Sequence, residues 1–261
     1  MPDRSTVAFL EERVEGAGGL KLNLRSWRPS NPKAVVVICH GVNSHGGQYV
    51  WAAEQLATAD YSVYALDLRG RGKSDGERFY VETVTDYVRD VATAINVAKS
   101  RERALPVFLL GHSAGGVVSC TYALDYQSQI KGLICESFAF EVPAPNFALA
   151  ILKGLSRVLP RFGALKLKNA DFSSDPEVVA ALVRADERLR REFSRITLPV
   201  FILHGSDDRA TKPSGSRFFF DTVGSRDKTL KIYDGHYHDL LADYGKEAVL
   251  ADMKAWLDQR V

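Results

Sequence analysis

The sequence predicts an α/β protein: one mostly parallel sheet of about eight strands, flanked by helices and interrupted by a helical cap insertion. Three observations lead there. Continuous apolar, β-branched runs such as Ala34-Val35-Val36-Val37-Ile38-Cys39 have the composition of strands covered on both faces. These runs alternate with segments whose apolar residues recur at helical spacing, which forces parallel strands joined by right-handed crossovers. One strand also passes into a helix through Gly111-His112-Ser113-Ala114-Gly115, a Gly-x-Ser-x-Gly turn.

The elements follow in order. Residues 7–12 and 20–27 flank Gly16-Ala17-Gly18-Gly19 and read as an antiparallel hairpin at a sheet edge, ended by Pro29 and Pro32. The strand 34–39 runs into the glycine-rich loop His40-Gly41-Val42-Asn43-Ser44-His45-Gly46-Gly47. A helix over about 48–59 and a strand over 61–66 come next. Val84, Tyr87, Val88, Val91, Ile95 and Ala98 form one apolar stripe, so 82–103 is a helix with one buried face. The strand 106–110 leads into the Ser113 turn and a second helix; 130–136, 199–203 and 229–233 are further strands.

Residues 141–195 break the alternation, with helical patterns and no strand, so the expected division is a core of 1–140 plus 196–261 and an inserted cap of 141–195. The cap's most apolar run, Phe147-Ala148-Leu149-Ala150-Ile151-Leu152, is dotted with Lys153, Arg157 and Arg161. Such a stretch packs its apolar side on the body or lies on a membrane surface, making peripheral contact.

Composition narrows the class. At 261 residues with a net charge of +2 and interspersed signs, the chain has room for one large domain and lacks the charge footprint of a nucleic-acid binder. The start of the chain carries no apolar targeting core, and no apolar run approaches bilayer length, so a cytoplasmic protein is expected. Cys39, Cys120 and Cys135 are far apart and fall in strands or helices, as reduced buried hydrophobes do. Without C-x-x-C or H-E-x-x-H spacing, no metal is expected, and the serine chemistry read below needs no cofactor.

The turn around Ser113 points to a nucleophile. It holds the serine in a strained backbone conformation at a helix N-terminus, where unpaired N–H groups favour an anion. A serine hydroxyl needs a base, and the base needs a group that fixes its tautomer. All six histidines lie near strand ends or glycine turns. With the chain order serine, acid, histidine, the base is His236 or His238 and the acid Asp207 or Asp208. Spacing does not separate either pair.

The segments His40-Gly41…His45…Tyr49, Asp67…Arg69-Gly70…Gly72…Ser74, Gly111-His112-Ser113-Ala114-Gly115-Gly116, His204-Gly205-Ser206-Asp207-Asp208-Arg209 and Asp234-Gly235-His236-Tyr237-His238 resemble the monoacylglycerol lipase and lysophospholipase branch of the α/β-hydrolases. The resemblance implies an α/β-hydrolase fold and a serine esterase or lipase acting on small lipid or other carboxylic esters. It places the acid on Asp208, the base on His238 and the oxyanion-binding N–H groups on Val42 and Ala114. It further suggests substrate contacts from His45 and Tyr49; an acyl chain lying under the apolar part of the cap would meet Phe138, Phe140 and Phe147, aromatics that serve either as pocket wall or as core. Two departures concern the substrate. Ala114 stands where many members have methionine, and Ser44 and Gln48 stand where vertebrate members carry charged residues that hold glycerol. A short-chain carboxylesterase or small-amide hydrolase therefore remains the alternative. A non-catalytic binding protein of this fold would be expected to have lost Ser113 or His238, and both are present.

Overall fold

A computed structural model of the chain describes residues 6–141 and 187–261, and in it eight strands form a single sheet. In chain order these are β1 (Ala8–Glu15), β2 (Lys21–Arg28), β3 (Ala34–Cys39), β4 (Tyr61–Leu66), β5 (Val107–His112), β6 (Gly132–Glu136), β7 (Val200–Gly205) and β8 (Lys228–Tyr233). Their order across the sheet is β1-β2-β4-β3-β5-β6-β7-β8. The first two strands join antiparallel, as the hairpin pattern implied, and every pairing from β4 onward is parallel.

The apolar runs form these strands because both faces are covered. Along β3, Val35, Val37 and Cys39 enter one core while Ala34, Val36 and Ile38 enter the other; that alternation is the two-residue period of the pleat. The first core is closed by α2 (Val84–Arg101), α3 (Ala114–Tyr126) and α4 (Pro213–Thr222), and the second by α1 (Val50–Ala57) and α5 (Lys246–Asp258). The stripe read along α2 is buried as a stripe, from Val84 to Ala98.

Two differences from the sequence reading concern helices. The helix expected over 48–59 splits into a 3-10 turn, Gly46–Tyr49, and the shorter α1. Neither α4 nor α5 was anticipated: Phe218-Phe219-Phe220 interrupts the helical pattern of one, while the other, whose apolar residues do recur at helical spacing, follows the long loop after β8. Most of the expected cap, 142–186, lies outside the described residues, whereas 187–192 are helical and Phe193–Arg195 form a 3-10 turn packed on the body. All three cysteines are free and buried.

Candidate active site

β5, β6 and β7 are neighbours in the sheet, so their C-terminal ends bring Ser113, Glu136 and the loop after Gly205 together. Ser113 lies between β5 and α3 with φ 54° and ψ −122°. A non-glycine residue at positive φ persists only where its surroundings hold it. Here the Ser113 N–H donates to the Glu136 carbonyl at 2.9 Å, and its own carbonyl accepts from Gly116 N–H at 2.9 Å and Ala139 N–H at 3.2 Å. The turn is also too tight for flanking side chains. A Cβ on Gly115 would lie 2.3 Å from the Cys39 carbonyl oxygen, and one on Gly111 2.6 Å from the Gly115 carbonyl oxygen.

Asp208 follows β7 with a buried side chain. Its Oδ1 accepts from the N–H groups of Ala210 (2.8 Å) and Thr211 (2.9 Å). Its Oδ2 accepts from the Thr211 hydroxyl at 2.8 Å and lies 2.8 Å from His238 Nδ1 and 3.0 Å from His204 Nε2. Burial alone would raise the Asp208 pKa, but the hydrogen bonds from His204 and His238 outweigh it and hold the carboxyl well below the usual carboxylate range. An ionised Asp208 takes the Nδ1 proton of His238 as a hydrogen bond and leaves Nε2 with its lone pair. The backbone of His238 is fixed as well, because Ser137 Oγ donates to its carbonyl at 2.6 Å.

The two open pairs differ in their surroundings. Asp207 is exposed and accepts from the Ser206 hydroxyl at 2.9 Å. His236 packs its ring 5.5 Å from Tyr233 and contacts neither carboxylate through its side chain. Asp208 and His238 are the pair in direct contact.

The glycine-rich loop after β3 lies against the serine. A Cβ on Gly41 would be 3.1 Å from Ser113 Cβ, and Gly41, Val42, Ala114 and Gly115 line one small cavity with His40 and Val118. His40 ties that loop down: its Nδ1 donates to the Gly41 carbonyl at 2.7 Å, and its Nε2 accepts from Leu68 N–H at 3.0 Å. Burial lowers its pKa to about 4, so the ring stays neutral and both bonds persist at neutral pH.

The expected substrate contacts fall in different places. His45 Nδ1 accepts from Gly47 N–H at 3.1 Å and caps the 3-10 turn, while Tyr49 is buried with its ring edge-on to His112 at 6.2 Å. Phe138 and Phe140 sit in an aromatic cluster with Phe193 and Phe219, at ring separations from 4.5 to 6.2 Å. They are core residues of the described body. Phe147 lies outside the described residues.

Four supporting residues carried no sequence signal that assigned them: Ser137, His204 and Thr211, which surround Asp208 and His238, and Glu136. The Glu136 side chain is buried behind the turn, its Oε1 accepting from Leu241 N–H at 3.1 Å. Burial pushes its carboxyl up to about 8. A chain-order search for charged strand ends could have found His204 and Glu136; Ser137 and Thr211 act through single hydroxyls that no periodicity marks.

This sheet order, with a strained serine turn between β5 and α3 at the centre of the sheet, defines an α/β-hydrolase. The chain belongs to the Hydrolase_4 family, serine aminopeptidase S33, which it matches over residues 30–245. It is 30% identical over 271 residues to the monoacylglycerol lipase of Mycolicibacterium smegmatis, spanning 95% of this chain and 96% of that protein. To the monoglyceride lipase of Rattus norvegicus it is 33% identical over 270 residues, spanning 94% and 89%. The crystal structure of Paleococcus ferrophilus monoacylglycerol lipase superposes with a TM-score of 0.79 at 28% identity, covering 92% of this chain and 99% of that one.

Proposed function

We propose that the protein hydrolyses carboxylic esters through an acyl-enzyme on Ser113, with monoacylglycerol-type lipids as the leading substrate class. The observation that carries this reading is the 2.8 Å contact between the buried Asp208 carboxylate and His238 Nδ1, in a fold whose serine turn is held at positive φ. His238, oriented by Asp208, takes the Ser113 hydroxyl proton as the oxygen attacks the ester carbonyl. The N–H groups of Val42 and Ala114 receive the oxyanion, and α3 adds its positive end. His238 then protonates the departing alcohol, and a water activated by the same nitrogen releases the acid. No cofactor enters this sequence of steps. The similarity to monoacylglycerol and monoglyceride lipases over nearly the whole chain supports the substrate class.

A specific observation supports the short-chain alternative. Ser44 and Gln48, at the positions where the resemblance expects charged glycerol-holding residues, hydrogen-bond each other. Hydrolysis of 4-nitrophenyl esters from acetate to palmitate, beside monoacylglycerols, tests both readings with wild type and Ser113→Ala in parallel. The expected result is loss of all turnover in Ser113→Ala and turnover of medium- or long-chain monoacylglycerols by the wild type. Activity confined to short esters would replace the lipase reading with a general carboxylesterase. Wild-type rates in the variant would remove the serine mechanism altogether.

A further inference from the structure

His112, the residue before the serine, and Asp239, the residue after His238, meet beside the His238 ring. His112 Nε2 lies 3.1 Å from Asp239 Oδ1, and the rings of His112 and His238 are 4.9 Å apart. One ligand atom from each of His112, His238 and Asp239 falls within 4.8 Å of the other two. A tetrahedral zinc ion with bonds of about 2.1 Å places its ligand atoms about 3.4 Å apart. The His112–Asp239 separation is already close to that edge, the third ligand atom lies within 4.8 Å of both, and the Asp239 side chain is exposed. We propose that His112, His238 and Asp239 form a binding site for a single zinc-like transition-metal ion, and that its occupancy reversibly inhibits the enzyme by occupying Nε2 of His238.

The chemistry of the donor set supports this choice. Two imidazole nitrogens and one carboxylate suit Zn²⁺ and its transition-metal neighbours, whereas Mg²⁺ and Ca²⁺ take oxygen ligands. His238 Nδ1 is committed to Asp208 at 2.8 Å, so Nε2 is its free ligand atom. A metal-binding histidine whose other nitrogen is held by a carboxylate is the usual supporting arrangement around zinc, since it fixes the ring and raises its basicity. The Asp208 bond supplies that arrangement here. Two carboxylates adjoin the histidine pair, Asp208 behind His238 and Asp239 beside His112. Both attract a cation.

The inhibition arm rests on His238 being the catalytic base, while the binding arm does not. Untagged protein would be assayed for 4-nitrophenyl butyrate hydrolysis in metal-buffered zinc, comparing wild type with Asp239→Asn, each normalised to its own metal-free rate. Zinc binding would be measured by calorimetry in the Ser113→Ala and Ser113→Ala/His112→Gln backgrounds. The proposal expects one zinc per chain, inhibition reversed by a chelator, no effect of Mg²⁺, and roughly tenfold or more zinc needed for equal inhibition of Asp239→Asn. It also expects weaker binding once His112 is replaced. Equal zinc sensitivity of wild type and Asp239→Asn, or calorimetric binding unchanged by His112→Gln, overturns the site. One-to-one binding that depends on His112, in a protein that hydrolyses no ester, would keep the metal site and refute the esterase reading instead.

Discussion

At the residue scale the chemistry turns on Asp208. Its two oxygens accept or face five groups from Ala210, Thr211, His204 and His238, so its charge is fully compensated although its side chain is buried. Replacing it by asparagine keeps the shape but offers His238 an amide in place of the carboxylate, which favours the wrong tautomer. Asp208→Asn is expected to lower kcat by roughly three to four orders of magnitude with little change in KM, measured on a short 4-nitrophenyl ester. Because the Asp208 pKa is depressed in the folded state, its contribution to stability is present at neutral pH and is lost only as pH falls below the usual carboxylate value. The sequence named Asp207 and Asp208, and His236 and His238, as open pairs; spacing alone could not choose because adjacent loop residues have no fixed facing direction. What separates them is the contact pattern of single hydroxyls and backbone N–H groups, which no periodicity encodes.

At the element scale the strand–turn–helix unit around Ser113 was legible because its requirements are steric. Gly115 packs so closely on β3 that a Cβ would lie 2.3 Å from one carbonyl oxygen and 2.5 Å from another. Both obstacles are backbone, and neither can swing away. Gly115→Ala is therefore expected to lower the unfolding midpoint substantially, by several kcal/mol of stability, and to reduce the activity of whatever folds; chemical denaturation followed by fluorescence checks this. The strands were readable for a related reason: covered on both faces, β3, β4 and β5 are buried at every position and mostly apolar, with Ser62 as the polar residue inside β4 and Gly111-His112 closing β5. The helix α5 did carry a signal in Val249, Leu250, Met253, Trp256 and Leu257, spaced as one buried face, whereas α4, with three consecutive phenylalanines, reads as readily as a strand. Tertiary packing decides such runs.

At the scale of the whole molecule, two cores sandwich the sheet and bury the Glu136 carboxyl behind the site. Glu136 is held neutral by burial, with its carboxyl up to about 8. For an acid whose folded pKa is raised, stability falls as pH rises from the unfolded value of 4.5 toward about 8 and levels off beyond it. Glu136→Gln removes that slope. Relative to wild type, the variant is expected to gain on the order of a few kcal/mol between mildly acidic and mildly alkaline pH, read from denaturation midpoints across that range; parallel curves for the two proteins would show that Glu136 ionises normally in the fold. The sequence placed Glu136 at a strand end but could not show that other elements close over it, since burial of one side chain depends on the whole assembly.

The central claim, a covalent route through Ser113, is tested most directly by trapping the intermediate. The protein would be treated with a fluorophosphonate probe, digested and mapped by mass spectrometry, with Asp208→Asn in parallel. The account predicts one adduct per chain on the peptide containing Ser113, formed far more slowly in the variant. An adduct on another residue, or labelling indifferent to Asp208, would contradict it.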